Sequence, residues 1–365
     1  MNSEQLSPGV IVTGGAGFIG CALSPGLLER GSRVVAVDSL LEQVHPGQQR
    51  PEALPDGVEL VTADVTDAAA WDRILESVRP ELVVHLAAET GTGQSLTEST
   101  RHAMSNVVGT TTMLDAFVRH DVLPGHVVLT SSRAVYGEGA WLDAEGNVFN
   151  PPPRSHAQLE RGDWDHRGPG GGAAVARPTD AATTQPNPAS VYGSTKLAQE
   201  LILGNWADAF SVPVSVLRLQ NVYGPGQSPH NPYTGIVTLF HRLASRGETL
   251  DVYEDGLIGR DFVHIDDVVS ALHACIERPP AAEEHRTLDV GTGAVTTILD
   301  AAQMIAQMYD APMPQISGKF RDGDVRHAVA DVSRTRADLG WEPRWSFEGG
   351  SADLSTWLRK GGFLG

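Results

Sequence analysis

Val10-Ile11-Val12-Thr13 runs straight into Gly14-Gly15-Ala16-Gly17-Phe18-Ile19-Gly20, and this junction restricts the fold more than any other stretch of the chain. An apolar, β-branched run reads as a buried strand. Glycines at the spacing Gly-x-x-Gly-x-x-Gly end that strand in a tight turn, and Phe18 to Arg30 then has the character of a helix. Glycine is needed because a Cβ would block both the bend and the approach of a pyrophosphate to the helix N-terminus, where unpaired N–H groups attract anions. An acid about 20 residues further on completes the pattern. Here it is Asp38, closing the run Val34 to Val37. A carboxylate there accepts hydrogen bonds from a ribose diol and repels a 2′-phosphate, which favours NAD over NADP. The plainer reading is a solvated strand end.

The alternation continues. Arg33 to Val37, Val58 to Thr62, Leu82 to Leu86, Val127 to Ser131 and Val214 to Leu219 are short apolar runs, with helical stretches at Ala68 to Val78 and Leu96 to His120. Continuous apolar strands separated by helices predict an α/β fold, a doubly wound parallel (Rossmann) sheet with a smaller C-terminal substrate lobe. Residues 1–220 are assigned to the dinucleotide-binding domain and 221–365 mainly to the lobe, with 262–310 returning to the first domain. Asp64, followed by Val65, has two readings: an acceptor for an adenine amino group, or part of the helix cap ahead of Ala68. From Gly137 to Pro188, eight Gly and seven Pro fall within 52 residues, which is the composition of irregular chain. A loop of that length is functional or disordered. The expectation is a lid over the site, in which Trp141 and Trp164 either stack on a ligand or anchor the loop.

Composition limits the partners. The 27 Lys and Arg against 45 Asp and Glu give a net charge of −18, and the isoelectric point is near 5.0. Such a chain offers no basic face to nucleic acid or to an anionic membrane. Cys21 and Cys275 are the two cysteines, too few for a disulfide framework or a cysteine metal site, and no His-Glu-x-x-His pairing occurs, so no metal is expected. No apolar run approaches the roughly 20 residues of a membrane span. Met1 to Pro8 lacks the basic start and apolar centre of a signal peptide, and a cytoplasmic location is expected.

The second chemical signal is Tyr192-Gly193-Ser194-Thr195-Lys196, downstream of Thr130-Ser131-Ser132. Tyr and Lys four residues apart share one helix face. Taken with His85-Leu86-Ala87-Ala88, Asn106, Ser132 to Gly137, Arg218 to Gly226 and Arg260 to Asp267, these residues resemble the extended short-chain dehydrogenase/reductase family over nearly the whole chain. Within it the resemblance is to nucleotide-sugar epimerases and dehydratases. It implies Ser132, Tyr192 and Lys196 as the catalytic group. It also implies an NAD site made of Gly14, Gly17, Phe18, Ile19, Gly20, Asp38, Asp64, Val65, Leu86, Ala87, Ala88, Tyr192 and Lys196, with Asn106 near the nicotinamide ribose. A sugar carbinol that loses hydride needs a base for its hydroxyl proton. Bringing a tyrosine from its ordinary pKa near 10 to about 7 takes roughly 4 kcal/mol, with Lys196 and the nicotinamide charge as the expected suppliers.

One local detail separates the reaction types. Dehydratases of this family place Thr-Asp-Glu before Val-Tyr-Gly, whereas this chain reads Ser132-Arg133-Ala134 before Val135-Tyr136-Gly137. Without that acid pair the expected reaction is epimerisation at C4 through a 4-keto sugar. Arg133 is read as a surface ion pair or as a substrate contact. Arg260 and Arg326 are expected on the substrate diphosphate, because guanidinium pairs bidentately with phosphate; the alternative is pairing with the adjacent Asp261 or Asp324. Asn221 is expected near the diphosphate, and Glu89-Thr90-Gly91-Thr92 near the sugar unless it is an ordinary βα loop. That segment, Ser132 to Gly139 and the long insertion look most like the dTDP-L-rhamnose 4-epimerase subgroup. The rivals are a nucleotide-sugar dehydrogenase or reductase with net redox, and a non-catalytic dinucleotide-binding relative. By resemblance the chain is expected to form a homodimer through helices near Leu96–His120 and Ser190–Phe210, although their apolar faces equally suit sheet covering.

Overall fold

Successive residues of the first strand face different cores. Val10 and Val12 of β1 (Ser7–Thr13) pack with Leu23 and Leu27 on one side, while Ile11 packs with Trp71 and Phe117 on the other. This is the period-two geometry of a strand covered on both faces, and it is why the run is apolar without a break. The protein is described by a computed structural model over residues 7–229, 235–282 and 284–364; most of the Met1–Pro8 segment read above lies outside them. Strands β2 (Val34–Asp38), β3 (Glu59–Thr62), β4 (Val78–His85), β5 (Val127–Ser132), β6 (Val214–Leu219) and β7 (His285–Val290) join β1 in the order β3-β2-β1-β4-β5-β6-β7. All neighbours are parallel, with Val12 opposite Ala36 on one side and Val84 on the other. The fold is the expected doubly wound parallel sheet.

Helices cover both faces. In chain order they are α1 (Phe18–Glu29), α2 (Ala68–Leu75), α3 (Gly109–Arg119), α4 (Val191–Phe210), α5 (Ile236–Ser245), α6 (Ile265–Glu277), α7 (Ile298–Met308) and α8 (Phe347–Lys360). α1 and α6 bury Leu23, Leu27, Val268 and Leu272 against one face, and α2, α3 and α4 bury Trp71, Phe117 and Leu203 against the other. The expected helical stretch 96–120 is continuous from Ser99 to Arg119 and is interrupted only near its start. Glu98 takes a non-helical backbone (φ −122°, ψ 42°) and separates Thr92–Thr97 from a helix that runs on from Ser99–Ala103 through a π turn at Met104–Val108 into α3.

A third core, around Tyr223, Phe240, Ile258, Phe262, Ile305 and Leu354, forms the smaller lobe. The span 262–310 divides between the two cores: α6 and β7 pack on the sheet, and α7 packs in the lobe. Ala330, Val332, Leu339 and Trp341 return once more to the first core.

The insertion 137–188 is folded. Trp141–Leu142 pairs antiparallel with Val148–Phe149 and with Val175–Ala176, and a short helix at His156–Glu160 is capped by Ser155. Trp141 is an anchor: it is buried, donates its indole N–H to Glu138 O at 2.8 Å and packs edge-on against His166. Trp164 lies 6.2 Å from the Phe320 ring. Arg154, with no exposed side-chain surface, reaches Glu138 at 3.3 Å, Glu254 at 2.8 Å and Asp324 O at 3.0 Å, tying the insertion to the lobe.

At the carboxyl end of β4, His85 is fully buried between Thr13 Oγ1 (2.6 Å) and Thr110 Oγ1 (2.9 Å). Burial, reinforced by the Lys196 charge, pushes its pKa down to about 3. The folded chain therefore refuses a proton that the unfolded chain binds near its ordinary value of 6.5. Its contribution to stability is complete above about pH 6.5 and is lost as pH falls toward 3. By pH 4.5 the loss amounts to about 3 kcal/mol. Urea unfolding at pH 7.5 and 4.5 checks this: His85→Gln flattens the acid loss by that amount, and an unchanged pH slope refutes it.

Candidate active site

The carboxyl ends of β1, β2 and β4 open into a cleft of about 590 Å³. Of the expected cofactor residues, Gly14, Gly17, Phe18, Ile19, Gly20, Asp38, Asp64, Val65, Leu86, Ala87 and Ala88 line it, together with Glu89 and Thr90. The residues fit a dinucleotide on three counts. Gly14 has φ +65°, and a Cβ there would lie 2.8 Å from Ala87 N, so only glycine lets β1 end this close to the loop after β4. The N-terminus of α1 starts at Gly17 with no side-chain cap, whereas α2 and α4 are capped by Asp67 and Ser190. Its free N–H groups are left for an anion. Asp38, mostly buried at the end of β2, takes Ala16 N at 3.0 Å on one oxygen and Leu40 N at 2.9 Å on the other, and these bonds fix the carboxylate at the cleft wall.

Two expected cofactor residues also carry local structure, Asp64 within the cleft lining and Asn106 behind it. Asp64 accepts from Thr66 N (2.8 Å) and Thr66 Oγ1 (2.7 Å) in a local turn, and the cap of α2 is Asp67 instead. Asn106 is fully buried behind the cleft. Its Oδ1 accepts from Glu89 N (2.8 Å), and its Nδ2 donates to Glu89 O (3.0 Å) and Thr195 Oγ1 (2.9 Å). Thr195 Oγ1 in turn donates to Tyr192 O. Asn106 thus spends its amide on holding the loop after β4 to the turn of α4 that bears Tyr192.

The residues expected to form the catalytic group come together where β5 meets α4. Ser132 Oγ caps the turn Arg133–Tyr136 by accepting from Ala134 N (3.1 Å), and its side chain hydrogen-bonds the Tyr192 side chain. Tyr192 is half-buried, and its backbone N–H donates to Ser95 Oγ at 3.1 Å. Lys196, one turn along and buried, donates from Nζ to Thr130 O at 2.9 Å. The charge balance differs from the sequence expectation. Burial raises the Tyr192 pKa, opposed by the Ser132 bond and by the Arg133 charge, while burial pushes Lys196 down to about 7.

The loop after β4 and the lobe supply the other wall. The Glu89 carboxylate is held bidentately by Arg101 at 2.8 and 2.9 Å. Gly91 (φ 110°) precedes the short helix that begins at Thr92. Arg133 Nε donates to Asn221 Oδ1 at 2.8 Å, and Asn221 N to Asp261 O at 3.0 Å. Arg260, buried, pairs with Asp324 at 2.6 Å. Asp261 instead accepts from Thr292, Gly293 and Ala330 and touches neither arginine. Arg326 is saturated by Asp255 (2.7 and 2.8 Å), Asp165 (2.8 Å) and Glu254 (3.2 Å), so the partner expected beside it in sequence, Asp324, is not the one it takes.

Sequence reasoning missed Arg101, which lines the cleft, and the buried pair of Glu200 and Arg218 (2.6 Å) beneath Ser131.

The model of the NAD dependent epimerase/dehydratase family matches residues 10–157 and 169–291. A dTDP-L-rhamnose 4-epimerase of Burkholderia thailandensis is 55% identical over 96% of this chain and 94% of its own length. Among solved structures, UDP-glucose 4-epimerase of Thermotoga maritima with UDP-glucose superposes at a TM-score of 0.77, with 28% identity over 97% of this chain and 99% of the other. That of Thermus thermophilus in complex with NAD gives 0.74, with 25% identity and the same coverage.

Proposed function

The chain belongs to the NAD dependent epimerase/dehydratase family, and from that premise we propose that it is an NAD-dependent nucleotide-sugar 4-epimerase whose substrate is a dTDP-linked 6-deoxyhexose. The observation that carries the reading is the local composition of the site. Tyr192 is hydrogen-bonded to Ser132 beside Lys196, and the two positions after Ser132 hold Arg133 and Ala134 where dehydration needs acids. The 55% identical relative supports the base and the sugar class.

NAD, when bound in the cleft, takes up and returns the hydrogen of the sugar carbinol carbon. The work of the chain is to hold and move the proton. Tyr192 accepts it from the C4 hydroxyl, general-base work typically worth 10²- to 10⁴-fold in rate. Ser132 bonds the same oxygen and keeps the phenol aimed. Arg260 and Asn221, fixed by Asp324 and Asp261, border the diphosphate. Arg133 and Ala134 offer no acid or base to expel a substituent from the intermediate, so the remaining outcome is return of hydrogen to C4 and of the proton from Tyr192 to the C4 oxygen.

The half-exposed Leu96 and Met104 and the shallow apolar groove of Leu96, Val107, Ala189 and Ala198 support pairing with a second copy of the chain through the α4 side; a monomer mass by ultracentrifugation overturns that pairing. No helix among the described residues is long and apolar enough to cross a membrane, and the two unpaired thiols suit the cytoplasm. The test of function is to incubate the protein with dTDP- and UDP-sugars and read the products by NMR. The expected result is the C4 epimer of dTDP-L-rhamnose, with NAD retained between turnovers. Net formation of NADH, or deuterium entering at C3 or C5 without a C4 epimer, sinks the reading.

A further inference from the structure

Arg133 is the one charged group on the turn that carries Ser132, and the mechanism above gives it no task. The turn has no slack. A Cβ on Gly193 would lie 2.5 Å from Ala134 O, so Arg133–Tyr136 is pressed against the first turn of α4, which bears Tyr192. Ser132, its immediate neighbour, already bonds the Tyr192 side chain. The guanidinium is anchored on Asn221 Oδ1 at 2.8 Å, and Asn221 is itself fixed by the backbone of Asp261. We propose that Arg133 is a positioning residue for proton transfer: anchored on Asn221, its fixed positive charge stabilises the deprotonated form of Tyr192.

The surrounding charges leave this task to Arg133. Its guanidinium has no ion-pair partner within 4 Å among the described residues. The carboxylates nearest to it are engaged elsewhere. Asp324 is held by Arg260 at 2.6 Å and by Val325 N at 2.9 Å. Glu138 is held by Arg154, His166 and the Arg326 backbone, and Glu89, across the cleft, by Arg101. The other cation, Lys196, points its Nζ at Thr130 O. Burial pushes Lys196 down to about 7, whereas burial and Arg260 bring Arg133 only to about 10. Above neutrality Lys196 therefore gives up its charge and Arg133 keeps it. In the dehydratase pattern this position holds an acid, whose charge would act on a phenolate in the opposite sense.

This inference rests on Tyr192 being the base. The experiment is the pH dependence of kcat with saturating dTDP-L-rhamnose, paired with an ultraviolet titration of the tyrosinate read as the difference from Tyr192→Phe. In Arg133→Gln the acid limb of kcat moves up by about one unit or more, so that turnover near pH 7 falls about tenfold and recovers at higher pH. Arg133→Lys restores most of the shift. Asn221→Ala, which leaves the guanidinium but not its anchor, gives a smaller shift in the same direction. A limb and a tyrosinate titration that stay in place in Arg133→Gln, with only KM raised, overturn the proposal and make Arg133 a plain substrate contact. If Arg133→Gln does not fold, Arg133→Lys and Asn221→Ala carry the same two readouts. If Tyr192→Phe itself keeps full turnover, the functional reading fails rather than the assignment of Arg133.

Discussion

Tyr192→Phe lowers kcat about 10³-fold while the folded state and its NAD content stay as they are. The change deletes one oxygen from a half-buried ring. Ser132 still caps its own turn through Ala134 N, the Tyr192 backbone still bonds Ser95, and Lys196 still bonds Thr130 O. No buried partner is stranded, so stability changes by less than about 1 kcal/mol. Catalysis loses its acceptor for the C4 proton, and the size of the loss follows from the usual worth of a placed general base. The pair of measurements is decisive: single-turnover epimerisation by NMR, and bound NAD by absorbance after denaturation. Turnover above a tenth of the native rate removes Tyr192 from the mechanism.

Arg154→Leu destabilises the protein by about 3–5 kcal/mol, the largest stability effect expected of any single ion-pair substitution here. Arg154 and both of its carboxylate partners, Glu138 and Glu254, have side chains at most 1% exposed. Removing the cation leaves two buried carboxylates under-compensated: Glu254 keeps Arg326 at 3.2 Å but has an oxygen without a hydrogen-bond partner, and Glu138 keeps His166 and the Arg326 backbone. Compare Arg30 with Glu277, closer in contact at 2.5 Å but exposed at 34% and 59%. That pair is worth about 0–1 kcal/mol. The pH dependence gives a second check. The native network holds the Glu138 carboxyl below its ordinary range, so it contributes stability above about pH 4.5 that is lost as pH falls. In the variant the under-compensated carboxylates take up protons more readily, and their penalty shrinks in acid. The gap between native and variant in urea unfolding is therefore widest near neutrality and narrows toward pH 4. A deficit under 1 kcal/mol at pH 7 refutes the account.

What the sequence disclosed was local. The glycine turn, Asp38 and the run Val214–Leu219 were all readable because each is specified by residues within one element. Ser132, Tyr192 and Lys196 were readable because a strand end and a helix turn bring them together. The rest is long-range. The strands of the insertion are two residues long, too short to show any period, and its order comes from ion pairs such as Arg154–Glu254 and Arg326–Asp165, 100 and 161 positions apart. Arg326 reads like a phosphate ligand until its carboxylates are seen. Asn106 reads like a cofactor contact until Glu89 and Thr195 claim its amide. Asp64 and Asp67 differ only in where α2 begins, which periodicity leaves open by a few residues.

Asn106 sits inside the π turn Met104–Val108, closed by Gly109 N on Met104 O. A π turn holds one residue more than the α-helical turn it replaces. In this stretch the count of residues is therefore as binding as their kinds. Deleting one of the five restores ordinary winding and leaves the helix before the turn in phase with α3, because the extra residue is taken up within the turn itself. What the deletion removes is the local bulge from which the Asn106 amide reaches both Glu89 and Thr195.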